Sequence, residues 1–193
     1  MAEQQTVTRT WQGLQIPPAG TYDIDPAHTT LEVIARHMMI AKVRGRFAEF
    51  SGHIVVGEDP ADSSVEVDIQ AGSIDTNEEQ RDQHLRSPDF LDVEQWPSIT
   101  LQGSGPRHEG GRDFSLTADL TIRDVTRPVE ISFSLEGVTT DPWGNTRAFF
   151  TGAFTVDRDA FGVTWNQALE TGGVMVGKEL KVEVDVQAVL REQ

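Results

Sequence analysis

The chain has 193 residues, with 31 acidic and 16 basic side chains, a formal net charge of −15 and no cysteine. That balance argues against non-specific nucleic-acid binding, which needs phosphate neutralisation, and sets the surface as a whole against anionic membranes. It excludes disulfides and thiolate metal sites; no segment approaches the ~20 apolar residues of a membrane span, and the N-terminal stretch lacks an apolar run of signal-peptide length, so a soluble, cytoplasmic, single-domain protein is expected.

Residues 1–20 are polar and end in "PPAG", which reads as an arm ahead of a domain spanning 21–193. From Tyr22 onward the hydrophobic period is two. "HTTLEVIARH" places Leu31, Val33, Ala35 and His37 on one face of a strand. A short helical turn is expected next, over "RHMMIAKV". In "RGRFAEFSGHIVV", Phe47 and Phe50 lie three residues apart in opposite phases, so one faces outward or a bulge separates them. "SSVEVDIQA" sets Val65, Val67, Ile69 and Ala71 against Ser64, Glu66, Asp68 and Gln70, one dry face and one wet.

A helix interrupts the strands at "TNEEQRDQHL". Thr76 and Glu79 have the spacing of a capping box, and Pro88 disfavours helix at Ser87. The period of two then returns. It runs through Phe114, Leu116, Ala118, Leu120 and Ile122, then Val129, Ile131, Phe133 and Leu135. Two more strands follow, through Phe150, Gly152, Phe154 and Val156 and through Leu180, Val182, Val184, Val186 and Ala188. Turns rich in Gly, Pro, Asp and Asn separate the runs.

The fold class is therefore all-β: an antiparallel meander of roughly eight strands, closed into a barrel because the helices are too few and too polar to cover its dry face. An eight-stranded barrel is filled by side chains or holds one small ligand. The small inward residues Ala35, Ala71, Gly103, Ala118 and Gly152 suggest unfilled volume.

Chemical motifs are missing. No phosphate-binding loop, dinucleotide fingerprint, nucleophile elbow or zinc-protease motif occurs, and none of the five histidines has metal-ligand spacing to another histidine or acid. No catalytic residue, metal or cofactor is expected. One stretch stands out in a chain this acidic. From Arg36 to Arg46 there are four cations (Arg36, Lys42, Arg44 and Arg46), one histidine and no acid, around Met38, Met39 and Ile40. Taken singly, His37 reads as a core histidine or a ligand contact, the methionines as gap fillers, and the cations as a solvated face. Trp143 and Trp165 read as core or rim packing.

Several segments together resemble the YceI family. They are "YDIDPAHTTLEVIARHMMIAKVRGRFAEFSG", "RDQHLRSPDFLDVEQWPSITLQGS", "LTIRDVTRPVEISFSLEG", "FTVDRDAFGV" and "VGKELKVEVDVQAV". The matching positions include His37, Gly45, Phe47, Gly52, Arg81, Asp82, His84, Ser87, Phe90 and Pro128. The chain departs from the family in having Asp124 where a glycine is usual. The resemblance implies a lipocalin-like barrel that binds, stores or transports a long isoprenoid lipid, a polyprenyl phosphate or a quinone, without catalysis. On that reading the expected ligand contacts are His37, Met38, Met39, Arg44, Phe47, Phe50, Ala118, Phe133, Gly152, Phe154 and Trp165, with Arg44 meeting an anionic head. The alternative is a non-catalytic, stress-related interaction module whose barrel is filled. A homodimer is compatible with either.

Overall fold

The computed structural model of the chain describes residues 7–192; residues 1–6 of the arm lie outside the described residues. The rest of the arm forms a small hairpin of β1 (Arg9–Trp11) and β2 (Leu14–Ile16). Ile16 is buried there with Phe114 and Leu135, and Trp11 packs beside it.

The barrel is built from β3 (Gly20–Ile24), β4 (Thr30–His37), β5 (Ala41–Phe47), β6 (Phe50–Val56), β7 (Ser64–Gln70) and β8 (Ile74–Asp75), followed after the helix by β9 (Ser98–Ser104), β10 (Arg107–Gly110), β11 (Asp113–Ile122), β12 (Val125–Thr140), β13 (Thr146–Asp157) and β14 (Val176–Leu190). Several are halves of one long stave. β3 and β4 both lie beside β14, with Ala188 opposite Ile24 and Val184 opposite Leu31. β5 pairs with β4 and β8, while β6 pairs with β3 and β7. β9 and β10 lie in turn along β11. Counted as staves, neighbours in sequence are neighbours in space, and β13 pairs with both β12 and β14 to close the ring. The result is an eight-stranded antiparallel barrel that abolishes its own edges, as a sheet with one dry face and almost no covering helix requires.

The break between β5 and β6 explains the two out-of-phase phenylalanines. Ala48 and Glu49 leave the ladder and bond instead to the next stave, the Ala48 amide to Ser73 O and the Gln70 amide to Glu49 O. The interruption shifts the phase by one, so Phe47 and Phe50 both face inward.

The helical turn expected over "RHMMIAKV" is instead a β-hairpin. Six cross-strand pairs, from Glu32 with Arg46 to His37 with Ala41, hold β4 and β5 in register up to its tip. Ladder hydrogen bonds along the barrel wall outweigh whatever one isolated helical turn could gain. Short 3₁₀ turns do occur, at Pro60–Asp62, Ala71–Ser73 and Arg158–Phe161.

The single α-helix among the described residues, α1 (Glu79–Arg86), is capped differently from the expected box. Glu78 is the N-cap; its carboxylate accepts from the amides of Gln80 (3.1 Å) and Arg81 (2.6 Å). Thr76 is buried and does another job. Its hydroxyl and its amide both donate to Asp82 Oδ1, at 2.6 and 2.9 Å. Arg81 Nε donates to the same hydroxyl (2.7 Å) and Arg81 Nη2 to the Thr76 carbonyl (2.9 Å). Arg86 reaches back to the carbonyls of Gly72 and Ile74. The "RDQHLRS" segment thus fastens the helix to the rim of the barrel.

Side-chain clusters close both ends. At the α1 end, Phe90, Ile99, Leu120, Phe161 and Val163 are buried with Leu85, Leu91 and Trp165 packed on them. At the arm end, Tyr22, Val56, Ala148 and Ala188 are buried together beside the Ile16 cluster. Tyr22 is fully buried, its hydroxyl donating to Pro18 O (2.9 Å), and burial pushes its pKa up to about 12.

Candidate functional site

Between the two ends runs a cavity of about 300 Å³. Ile16, Pro17, Pro60 and Pro106 bound it at the arm end, and Phe47, Leu91, Ile122 and Leu180 at the helix end. Its middle is the inward phase of the staves, among them Leu31, Val33, Val67, Leu101, Phe133 and Val182. These six side chains point into the barrel and yet are only partly buried. In a filled core of this size they would be inaccessible, because protein interiors pack to crystal-like density. The accessible area is therefore turned toward empty, apolar space inside the protein.

Among the described residues no charged side chain lines the cavity; Thr29, Ser63, Ser64 and Thr151 border it, with the Thr29, Ser63 and Thr151 hydroxyls bonded to Gln187, Gly57 and Glu136. Among the described residues no three His, Cys, Asp or Glu side chains stand close enough to hold a metal. The cavity can take up an apolar molecule.

The residues expected at the site divide into five groups. Phe47, Phe50, Phe133, Gly152 and Phe154 line the cavity. Ala118 is buried beside it without lining it, because a Cβ at its cross-strand partner Gly103 would come within 2.9 Å of the Ala118 methyl. The small residues Ala71, Gly103 and Ala118 therefore mark close packing, a correction to their reading as vacant volume. Trp165 caps the helix end, edge-on to His84 (4.7 Å between ring centres) and tilted against Phe90 (5.3 Å). His37, Met38 and Met39 sit at the tip of the β4–β5 hairpin, outside the cavity lining.

Arg44 belongs to the outer face. Its guanidinium lies 2.6 Å from Glu32 and 3.8 Å from Glu183. Arg46 pairs with Asp75 at 3.1 Å. The run of cations in the sequence is thus dispersed in space: β4, β8 and β14 bring acids to the flanks of β5. Arg44 and Lys181 together hold the Glu183 carboxyl below its usual range, the Lys181 hydrogen bond contributing most.

Residues from loops complete the lining and carried no periodic signal: Pro17, Pro60, Pro106 and Thr29. Two charged networks shape the ends. At the arm end, Arg147 bridges Asp25 (2.7 Å) and Asp141 (2.9 Å), and His28 adds a contact to Asp25 (2.8 Å). The Arg147 hydrogen bond holds the Asp25 carboxyl below its ordinary range; Asn145 chiefly, then Arg147, does the same for Asp141. At the other end Arg158 is buried and, among the described residues, has no carboxylate partner. It donates to the carbonyls of Val163, Trp165, Val176 and Gly177, so it fastens the loop that carries Trp165. Desolvation lowers its pKa.

The chain matches the family model of the YceI-like domain over residues 22–188. It is 33% identical to a UPF0312 protein of Staphylococcus aureus over 177 residues, which cover 89% of this chain and 98% of that one. A UPF0312 protein of Pseudomonas aeruginosa is 37% identical over 148 residues, 75% of this chain and 77% of the other. Among solved structures, Burkholderia cenocepacia BcnA superposes with a TM-score of 0.74 at 20% identity, covering 85% of this chain and 98% of BcnA. A polyisoprenoid binding domain from Saccharophagus degradans superposes with a TM-score of 0.67 at 12% identity, over 90% of this chain and all of that domain (100%). The inward phase, the α1 segment and the extent of these matches agree, and the chain belongs to the YceI-like family.

Proposed function

We propose that this protein binds a long-chain isoprenoid lipid, with the tail drawn along the barrel, as a carrier or store and not as an enzyme. The observation that carries the reading is the end-to-end apolar cavity, whose inward side chains remain accessible. Each buried CH₂ contributes roughly 0.8 kcal/mol, so a few isoprene units supply micromolar affinity with no specific polar contact. The S. degradans domain of the same fold is described as polyisoprenoid-binding, which supports the same ligand class here. The lining favours a neutral head such as a quinone over a phosphate. Its wall is apolar and offers no cation, and Arg44 already has two carboxylates. A filled interaction module is disfavoured by the same cavity.

The test is organic extraction of the purified protein followed by mass spectrometry of the extract and re-addition of an isoprenoid quinone. The proposal expects an isoprenoid in near-stoichiometric amount, or its saturable uptake by emptied protein. Protein that is empty as purified and takes up no quinone would contradict it.

A further inference from the structure

The tip of the β4–β5 hairpin is built against the ordinary rules of such turns. Met38 and Met39 are its central residues, with φ of +51° and +65°, and the Ile40 amide closes it onto His37 O at 3.2 Å. Consecutive positive φ angles are the mark of type I′ geometry, where Asn-Gly is the favoured pair and a Cβ is a burden; here they open a three-residue loop between the paired His37 and Ala41. The chain follows that rule at its β1–β2 turn, which uses Gln12 and Gly13. Here it places two long apolar side chains instead, and with Ile40 beside them they are exposed: Met38 is 49% exposed, Met39 58% and Ile40 82%.

A second loop supports the tip. The Met38 amide donates to Met175 O (2.8 Å), and Met39 packs so closely on Gly173 that a Cβ there would lie 3.1 Å from its Cγ. Val174 and Met175 are partly exposed on this loop. The platform extends past Leu180, the residue at which β14 leaves the cavity, and so stands beyond the helix end of the barrel.

The charge at its base is also unusual. Arg36 and Lys42 face each other directly across the hairpin, a like-charged pair that destabilises a sheet when nothing anionic answers it. Among the described residues neither forms an ion pair; Arg36 donates to Ile40 O (3.1 Å), and Lys42 acts at a distance on Glu183, which Lys181 and Arg44 already hold. Farther down the same hairpin, Arg44 and Arg46 are both neutralised. Along this hairpin the uncompensated cations are thus confined to the collar of the apolar tip, and the supporting loop from Asn166 to Met175 carries one acid, Glu170.

From this juxtaposition we infer that the hairpin tip is a docking surface for an anionic lipid bilayer. Met38, Met39 and Ile40 enter the headgroup region, and Arg36 and Lys42 meet lipid phosphates. The net charge of −15 does not forbid this. At ~0.1 M salt the screening length is about 10 Å, so the tip's own cations act on the bilayer while the acids of the distant barrel are screened. The inference concerns the surface alone and does not depend on the ligand of the cavity.

The test is co-sedimentation with vesicles of phosphatidylcholine and of an equimolar mixture with phosphatidylglycerol. Wild-type protein is expected on the anionic vesicles and much less on the neutral ones. Replacing Met38 and Met39 by Asn and Gly suits the turn and should raise the melting temperature, yet reduce vesicle binding about tenfold or more. Arg36→Gln with Lys42→Gln should weaken binding to anionic vesicles about thirtyfold and leave the weak neutral binding unchanged. Wild-type protein that ignores both vesicles overturns the inference, as does equal vesicle binding by the Asn-Gly variant. A wild-type dimer that the Asn-Gly variant dissolves, without vesicle binding, also overturns it and makes the tip a contact between two copies of this chain.

Discussion

Thr76 shows how a side chain can satisfy a sequence pattern and play another part. Its spacing to Glu79 fits a capping box, but Glu78 takes the cap and Thr76 is buried between Asp82 and Arg81. Thr76→Ala removes a hydroxyl that serves two partners at once. The expected cost is about 1–3 kcal/mol, the range for leaving buried polar groups unpaired, and Thr76→Ser should recover most of it in chemical denaturation. Equal melts for Thr76→Ala and wild type would contradict the network. At the same scale, Ala118 and Val182 separate close packing from empty space. Ala118→Phe is set directly against Gly103, where even one added Cβ would crowd the Ala118 methyl, and should destabilise by about 1–3 kcal/mol. Val182→Phe points into the cavity and should leave the melting temperature nearly unchanged while reducing lipid uptake. An unstable Val182→Phe protein would indicate a barrel already filled.

At the scale of the element, the strands were legible and the interruptions were not. Val65, Val67 and Ile69, or Leu180, Val182 and Val184, declare their face by alternation alone, because a one-residue slip would turn every apolar side chain to solvent. The same logic made Phe47 and Phe50 a puzzle that only the break at Ala48 and Glu49 resolves, and that break depends on hydrogen bonds from the adjacent stave. "RHMMIAKV" misleads because its tip has no glycine or asparagine to announce a turn. The cavity was half legible: the phenylalanines and Gly152 followed from phase, whereas the prolines at the arm end come from loops. Arg44 could not be placed from sequence, since its partners lie on two strands, one of them far along the chain. The strained tip leads to an element-scale prediction. Placing Asn-Gly at Met38 and Met39 should stabilise the fold by about 1–2 kcal/mol or more, because each L-residue in the left-handed region costs about that much. A lowered denaturation midpoint would mean that the methionine side chains hold the hairpin in place.

For the whole molecule, stability has a defined acid limit. Asp25 and Asp141 are both held below the ordinary carboxylate range at the Arg147 bridge. A depressed folded pKa means that the bridge stabilises above the unfolded value near 4, and that this is lost as pH falls below it. Protonation also relieves the excess negative charge, an opposing trend, so a variant isolates the bridge. Arg147→Gln should be less stable at neutral pH, and its melting temperature should fall less steeply between about pH 4 and 2. Parallel curves for both proteins would show that the bridge carries no pH dependence.

The central claim, that the barrel is a tube for an isoprenoid tail, is tested most directly by native mass spectrometry of wild-type and Val182→Phe protein after incubation with one isoprenoid quinone. The account predicts one quinone bound per wild-type chain, retained under gentle ionisation, and none or far less on the equally folded variant. Equal loading of the two proteins would place the lipid outside the barrel and contradict the account.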